Sequence, residues 1–293
     1  MFLRSFVLTK INQLKINKLF FLNESYSTAA RLKLKEDIIK EQKIKVGNYN
    51  INYIKVGWGD HKVLCAPGSL GTWSDYQLQI RGFDRDKFSL VVCDPAGNGK
   101  STIPDEDDNV INFFERDANV YYEFMKALEI PKYSYLGWSC SGASGLILAA
   151  KHPEAVHKLV VFGTSSHMLL SETENYKKMK DLKNWSKPVL GAMMKMYGEE
   201  VFVKKLNKWV DNIVNNYHVF TCDDLLKDIR CPTMIMYGEK DQMVDNSHVK
   251  YLQERIKNSR VHLYPEGKHN IHMKYAEDFN RRVQDFFLET TND

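Results

Sequence analysis

A serine stands at the centre of the strongest candidate site, where a strand-like run ends and a helix-like segment begins. Residues 137–141 read GWSCS and directly follow the run YSYL. In a sharp strand-to-helix turn that exposes a nucleophilic serine, the residues two before and two after it must be small, because the turn presses them against backbone. Gly137 and Ser141 meet this requirement, although a second glycine is the usual residue at the later position. We interpret Ser139 as a candidate nucleophile.

A histidine and an acid must accompany such a serine, because its hydroxyl attacks only when a base removes the proton and an acid orients that base. Asp241 follows the strand-like run TMIMY, and His269 follows the run RVHLY. The carboxyl ends of parallel strands meet at one edge of a sheet, so both side chains should lie near Ser139. The sequence predicts Asp241 as the acid and His269 as the base, with Asp245 as an alternative acid.

An oxyanion hole would complete this site with two backbone N–H groups. One comes from the residue after the nucleophile, here Cys140, and the other from the loop after the first parallel strand. That loop reads PGSLG, and its glycines permit close approach of backbone. Either Ser69 or Leu70 is expected to supply the second donor.

Two other motifs in the sequence resemble sites with a different chemistry. His269 and His272 form an H-x-x-H pair, but no third ligand with metal-site spacing accompanies them, so we expect no metal. Residues 94–101, DPAGNGKS, end like a phosphate-binding loop. Asp94, however, puts a carboxylate where the first glycine should stand, and Pro95 removes an amide donor. We therefore expect neither nucleotide hydrolysis nor any organic cofactor.

Strands and helices alternate along the chain, as in an α/β protein. A hairpin is predicted around residues 43–56, followed by buried strands that are separated by helices of ten to sixteen residues, which implies parallel pairing. Residues 167–224 interrupt this order with a lysine-rich, helical stretch that lacks a strand-like run. The predicted fold is a mostly parallel sheet with helices on both faces and a helical lid inserted at about residues 167–224.

The first 35 residues differ in charge from the rest of the 293-residue chain. They contain seven Lys and Arg and the single acid Glu24, a net charge of +6, whereas the remainder carries 34 basic and 36 acidic side chains. Basic residues spaced along an apolar, hydroxyl-rich segment are typical of a mitochondrial transit peptide. We predict that residues 1–35 are a targeting segment or tail and that residues 36–293 form the catalytic domain. Mitochondrial localisation is expected, with a cytoplasmic protein as the alternative.

Composition excludes several classes of protein. With 43% hydrophobic and 27% charged residues the chain is globular, and its slightly acidic body lacks the basic excess of a nucleic-acid binder. No stretch is apolar enough for an integral membrane segment. Five scattered cysteines without a C-x-x-C pair indicate free thiols, and no obligate protein partner is evident.

These motifs resemble the α/β-hydrolase superfamily, and within it the valacyclovir-hydrolase family of biphenyl-hydrolase-like serine hydrolases. The resemblance runs from about residue 43 to the C-terminus and includes PGSLGTW, LGWSCSG, MYGEKDQMV and HLYPEGKHNIH. It implies the α/β-hydrolase fold, mitochondrial hydrolysis of α-amino-acid esters, Ser139 as nucleophile, Asp241 as acid and His269 as base.

One departure from that family concerns substrate choice. The family nucleophile is usually followed by Asp-Gly, where the aspartate is associated with the substrate ammonium, and here by Cys140 and Ser141. A thiol carries no charge at neutral pH unless strongly perturbed. We expect a serine hydrolase of small esters that prefers uncharged acyl groups, unless a lid acid such as Glu199 or Asp211 replaces the aspartate. The alternatives are a silent ligand-binding protein and a thioester or carbon–carbon bond hydrolase.

Overall fold

Apolar runs form eight strands of a single sheet in the computed structural model, which describes residues 39–107 and 110–290. The predicted targeting segment, residues 1–35, lies outside the described residues. The strands are β1 Gln42–Val46, β2 Tyr49–Val56, β3 His61–Ala66, β4 Phe88–Cys93, β5 Tyr133–Trp138, β6 Val156–Phe162, β7 Thr233–Gly238 and β8 Ser259–Tyr264. Their order across the sheet is β1-β2-β4-β3-β5-β6-β7-β8.

Pairing is antiparallel at one end of the sheet and parallel elsewhere. The β1–β2 hairpin turns at Gly47, whose φ of +57° is a conformation that glycine adopts without strain. Strand β2 also pairs antiparallel with β4, while the pairs from β4 through β3 to β8 are all parallel. The carboxyl ends of β3 to β8 therefore lie along one edge, called here the carboxyl edge.

Helices cover both faces of the sheet. They are α1 Gln77–Gly82, α2 Phe113–Ala127, α3 Cys140–Lys151, α4 Leu170–Met179, α5 Lys187–Tyr197, α6 Glu199–Asn216, α7 Ser247–Arg255, α8 Ile271–Lys274 and α9 Ala276–Leu288. Successive residues of each strand face opposite sides, so the core divides into two apolar clusters. One cluster includes residues of α2, α3 and α7, and the other includes residues of α1 and α9.

Helices α4, α5 and α6 form the insertion between β6 and β7. They occupy the stretch in which the sequence predicts helices and no strand, and one isolated bridge, His167 to Thr221, closes its base. Helix α6 buries Phe202, Leu206 and Val210 at a spacing of four residues, so one apolar stripe holds it against the protein.

Two elements differ from the sequence prediction. Helix α1 follows a 3-10 turn over Trp73–Tyr76, and its six residues are too few for a clear apolar period. The apolar pattern of residues 272–288 predicts one amphipathic helix. The structure divides this stretch into α8 and α9 because Tyr275 leaves the helical region at ψ 36°. Within residues 39–107 and 110–290, none of the helices combines the length and apolar character that crossing a bilayer requires.

Candidate active site

Ser139 lies in the turn between β5 and α3 with φ 56° and ψ −125°, a conformation that is strained for a residue with a side chain. Its N–H donates to the Phe162 carbonyl at 3.0 Å, and its carbonyl accepts from the Thr164 hydroxyl at 2.7 Å. A Cβ at Gly137 would lie only 2.5 Å from the Tyr135 ring. The turn is therefore held from both sides, and glycine is required two residues before the serine.

Ser141 occupies the position where a second glycine is usual. Its side chain is buried, its hydroxyl donates to the Pro67 carbonyl at 2.5 Å, and the Tyr121 hydroxyl lies 2.9 Å away. The Tyr135 hydroxyl donates to the Ser141 carbonyl at 2.7 Å. A small hydroxyl side chain is accommodated here because it ties the turn to the loop after β3.

The structure brings the three predicted catalytic residues together at the carboxyl edge. His269 Nε2 lies 3.1 Å from Ser139 Oγ, and His269 Nδ1 lies 2.8 Å from Asp241 Oδ2. The Asp241 side chain is fully buried, and its other oxygen accepts the N–H of Met243 at 2.8 Å and that of Val244 at 3.3 Å. The carboxylate is thus fixed by backbone donors while it faces the histidine. Such a line of groups can activate a serine hydroxyl.

The alternative residues point elsewhere. Asp245 accepts the N–H of Ser247 at 2.8 Å and makes no recorded bond to His269 within the described residues. His272 is fully buried among aromatic rings, with the Trp138 ring centroid 4.6 Å away, and burial lowers its pKa to about 3. It is a neutral core histidine. Among residues 39–107 and 110–290, no group of three or more potential metal ligands is present.

The two sides of the expected oxyanion hole also meet. Cys140 is the first residue of α3, and its sulfur lies within hydrogen-bonding reach of Ser69 and Ser139. Burial raises the pKa of this thiol to about 11, with hydrogen bonds opposing the rise, so the side chain is neutral. Ser69 precedes Leu70, whose φ is 61°. Both candidate second donors therefore belong to the loop that borders the nucleophile turn, and the choice between them stays open.

A cavity of about 340 Å³ borders this loop and the start of α3, and the insertion covers it. Its lining combines Ser69, Leu70 and Cys140 with residues of α2 and α6. Tyr197, at the end of α5, connects the insertion to this loop, because its hydroxyl donates to the Leu70 carbonyl at 3.0 Å and accepts the Gly99 N–H at 2.7 Å.

Charged side chains in this cavity are residues that the sequence did not single out. Arg116 and Asp117 of α2 line it and are paired, with Arg116 Nη2 2.7 Å from Asp117 Oδ1. Lys205 and Lys208 of α6 also line it. The signal for the lysines was the lysine-rich composition of the insertion, but their side of α6 was not predicted.

Neither acid that the sequence offered as a replacement for the family aspartate is found in the cavity lining. Glu199 is exposed at the start of α6. Asp211 pairs with Lys180 on the surface of the insertion. Both side chains are exposed on α6 and lie outside the lining of the cavity, contrary to the expectation that one of them faces the substrate.

The turn after β4, which resembled a phosphate-binding loop, is stabilised by its own carboxylate. Asp94 is buried and accepts the N–H of Lys100 at 2.9 Å, the amide of Asn52 at 2.8 Å and the N–H of Trp73 at 2.9 Å. Lys100 extends outward to Glu41. The amide and the lysine that would hold a phosphate have protein partners instead.

Comparisons with known proteins agree with this geometry. The alpha/beta hydrolase fold family matches residues 63–192 and 194–276. Serine hydrolase BPHL of Homo sapiens is 37% identical over 252 residues, which make up 85% of this chain and 86% of that protein. The 2-hydroxy-6-oxo-6-phenylhexa-2,4-dienoate hydrolase of Comamonas testosteroni is 23% identical over 273 residues, 83% of this chain and 93% of that protein.

Solved structures show the same fold. A meta-cleavage product hydrolase from Pseudomonas fluorescens has a TM-score of 0.69 at 20% identity, covering 85% of this chain and 97% of that chain. An enol-lactonase from Burkholderia xenovorans has a TM-score of 0.70 at 18% identity, covering 85% and 100%. The predicted fold class and the prediction of a hydrolase are confirmed. The chain belongs to the alpha/beta hydrolase fold family and is a serine hydrolase.

Proposed function

We propose that this hydrolase cleaves small carboxylic esters through an acyl-enzyme on Ser139. The observation that carries the proposal is the continuous line from Asp241 through His269 to Ser139 Oγ, with contacts of 2.8 and 3.1 Å. His269 Nε2 takes the serine proton as Oγ attacks the ester carbonyl, and Asp241 holds the Nδ1–H and stabilises the imidazolium.

The remaining steps use the loop after β3 and the start of α3. The backbone N–H of Cys140 and that of Ser69 or Leu70 stabilise the tetrahedral oxyanion. His269 then gives its proton to the departing alcohol, which leaves the acyl group on Ser139. A water molecule, deprotonated by His269, attacks this acyl-enzyme, and the carboxylic acid and free serine result.

We propose that the enzyme hydrolyses α-amino-acid esters less efficiently than neutral esters. The neutral Cys140 thiol stands where the related family has an aspartate, and Asp117 is already paired with Arg116. Among the described residues that line the cavity, a substrate ammonium would therefore meet no unpaired carboxylate.

A fluorophosphonate probe tests the proposal directly, since it labels only an activated serine. We expect the wild-type protein to be labelled at Ser139, as located by peptide mass spectrometry, and the Ser139→Ala variant to stay unlabelled. A wild-type protein that resists the probe and hydrolyses no ester in a panel of varied acyl charge would favour the silent ligand-binding alternative.

Carbon–carbon hydrolysis is the second candidate, because the relative from Comamonas testosteroni is a hydrolase of a 2-hydroxy-6-oxo-dienoate and is similar over 83% of this chain. The same triad can support several acyl chemistries. An assay of that dienoate beside simple esters separates the two, since the conjugated absorption of the dienoate is lost on cleavage. Turnover of the dienoate at least tenfold above the best ester would replace the ester proposal.

We also propose that residues 1–35 direct the protein to mitochondria. Support comes from their net charge of +6 beside an acidic remainder. A reporter fused to residues 1–40 should enter mitochondria, and a chain starting at Lys35 should keep its catalytic activity. Cytosolic retention of the reporter would support the cytoplasmic alternative.

A further inference from the structure

The loop after β3 contains a tight turn that is strained at Leu70. Residues 68–71 form a β-turn, which is closed by the N–H of Gly71 donating to the Gly68 carbonyl at 3.0 Å. The second central residue, Leu70, has a φ of 61°, whereas the φ of Ser69 is not positive. This is the pattern of a type II turn, in which glycine or asparagine is the usual residue at the second central position. A leucine there stays in this conformation only when surrounding contacts hold it.

Both N–H groups that are expected as the second oxyanion donor belong to this turn. Type I and type II turns differ by a rotation of the central peptide through about 180°. Here that peptide joins the carbonyl of Ser69 to the N–H of Leu70, so the rotation would exchange the directions of an acceptor and a donor. A Cβ on Gly68 would lie 3.2 Å from the Cβ of Ser139, so the turn directly adjoins the nucleophile. Relaxation of the turn would therefore weaken the stabilisation of an oxyanion.

The hydroxyl of Tyr197 holds the turn in its strained form. It donates to the Leu70 carbonyl at 3.0 Å, and within the part of the chain that the structure describes no other donor to this carbonyl is recorded. The Gly99 N–H donates to the same hydroxyl oxygen at 2.7 Å, which leaves the hydroxyl proton to the Leu70 carbonyl. Burial raises the pKa of Tyr197 to about 12, so the hydroxyl keeps this proton at neutral pH.

The position of this hydroxyl depends on how the insertion packs. Tyr197 is the last residue of α5, and its ring lies nearly parallel to that of the buried Phe202 of α6, with 6.5 Å between the ring centroids. Lys205 Nζ lies 5.8 Å from the centroid of the Tyr197 ring and donates to the Gly97 carbonyl at 2.7 Å. The ring is thus held from the side of the insertion, while its hydroxyl bonds to a turn at the carboxyl edge.

We propose that Tyr197 is a positioning residue for the oxyanion hole, which holds the strained turn over residues 68–71 and makes full turnover depend on a docked insertion. The inference rests on the proposed ester hydrolysis at Ser139 and adds a residue of the insertion to that reaction. Because the oxyanion forms only on the way through the transition state, loss of the hydroxyl should lower kcat and leave KM nearly unchanged.

Tyr197→Phe in the full-length protein removes the hydroxyl and keeps the ring. We expect kcat on a neutral ester to fall about tenfold, less than the loss of about 10²- to 10³-fold for a whole oxyanion donor, with KM within about twofold of wild type. Tyr217→Phe, which removes a hydroxyl at the end of α6, is the matched control and should keep the wild-type kcat. An unchanged kcat in Tyr197→Phe, or an equal fall in both variants, would overturn the proposal. Tyr197→Met repeats the test if Tyr197→Phe fails to fold.

Two ketone inhibitors separate positioning of the oxyanion hole from damage to the cavity. A trifluoromethyl ketone adds the Oγ of Ser139 to its carbonyl and then carries an oxyanion, whereas the methyl ketone of the same chain binds without this addition. Tyr197→Phe should weaken inhibition by the trifluoromethyl ketone about tenfold and leave inhibition by the methyl ketone unchanged. Equal weakening of both inhibitors would show a distorted cavity and contradict the proposal.

Leu70→Gly tests the role of the strain. Glycine adopts a positive φ without strain, so the turn should no longer need the tyrosine. In the Leu70→Gly background, Tyr197→Phe should lower kcat by less than about threefold, and an undiminished loss would overturn the proposal. If Ser139→Ala still hydrolyses the ester, the proposed function itself fails. Hydrolysis that depends on Ser139 but not on Tyr197 refutes the positioning role alone.

Discussion

The carboxyl edge of the sheet and the helical insertion hold their polar groups in different ways. At the edge, Asp241 is fully buried and accepts two backbone N–H groups besides His269. On the insertion, pairs such as Lys177 with Glu174 lie in solvent. Exposed ion pairs of this kind contribute little to stability because water and salt screen them. The edge is therefore fixed in one geometry, while the insertion can change its charges without losing its fold.

This difference assigns separate tasks to the two regions. Chemistry needs atoms held within a few tenths of an ångström, which the short loops at strand ends provide. The cavity beside the nucleophile turn, by contrast, is lined in part by side chains of α6. Substitutions of the catalytic residues at the edge should then abolish turnover, and substitutions of the α6 side chains that line the cavity should change selectivity.

The largest expected effect is the loss of turnover when a catalytic residue at the carboxyl edge is replaced. Ser139→Ala should reduce kcat by about 10⁴-fold or more, because no other group can take over the nucleophilic attack, and His269→Ala should do the same. Ser186→Ala, which removes an exposed serine from the insertion, is the control and should keep wild-type turnover. Steady-state kinetics on a neutral ester measure both. Activity of Ser139→Ala within tenfold of wild type would refute the assignment of the nucleophile.

Glu172 is the point at which the two regions are joined. This buried carboxylate at the start of α4 accepts the N–H of Leu169 at 2.9 Å and, from the loop that carries Asp241, the N–H of Asp245 at 2.8 Å. His248 Nε2 of α7 lies 3.2 Å from the same oxygen.

Removing this carboxylate should therefore affect both regions. Glu172→Ala leaves two backbone donors without partners and should lower the free energy of unfolding by about 3 kcal/mol, and Glu172→Gln, which keeps one acceptor, by about half as much. Urea unfolding measures both losses. Glu174→Ala, on the exposed side of the same helix, is the control. Equal stabilities of Glu172→Ala and Glu174→Ala would show that the hydrogen bonds of Glu172 contribute nothing to stability.

The sequence predicts more of the carboxyl edge than of the insertion. Strands such as β4 and β7 are buried on both faces and read as continuous apolar runs, and the residues that follow a strand end are placed by the sheet itself. Ser139, Asp241 and His269 each stand close after such an end, so their meeting could be foreseen. The six-residue helix α1 and the break at Tyr275 left no comparable pattern.

The lining of the cavity could not be foreseen in the same way. Which side of α6 faces the sheet depends on how the insertion packs, and that packing joins residues far apart in the chain, as in the bond from Lys205 to Gly97. Composition identified the insertion as lysine-rich without showing which lysines turn inward. For the same reason the sequence does not show that Arg116 and Asp117 line the cavity and that Glu199 and Asp211 do not.

Cys140 lies where the cavity meets the carboxyl edge, and its substitution should change substrate preference. Cys140→Asp places a carboxylate beside the nucleophile while keeping the backbone N–H, and it should raise the preference for valine esters over their des-amino analogues about 10- to 150-fold. Competition between the two esters, followed by product analysis, measures the ratio. A wild-type enzyme that already prefers the amino ester tenfold, with no increase in the variant, would mean that the ammonium is bound by other residues.

The smallest expected effect is a change in the pH dependence of stability when His272, which packs beneath the carboxyl edge, is replaced. Burial lowers its pKa to about 3, against about 6.5 in an unfolded chain, so between these values the unfolded state binds the extra proton and stability falls as the pH falls. The loss is about 1.4 kcal/mol per pH unit, or about 2 kcal/mol by pH 5. Asp75, whose pKa burial raises to about 6, acts in the opposite direction over part of this range, and a comparison of variants removes its contribution.

His272→Phe keeps a ring beside Trp138, and its free energy of unfolding should fall by about 2 kcal/mol less than that of the wild type between pH 7 and pH 5, as measured by urea unfolding. His218→Asn, which changes an exposed histidine of the insertion, is the control and should show the wild-type dependence of stability on pH. If His272→Phe shows the wild-type dependence as well, His272 is not buried as a neutral group, and the carboxyl edge is less tightly packed than its contacts indicate.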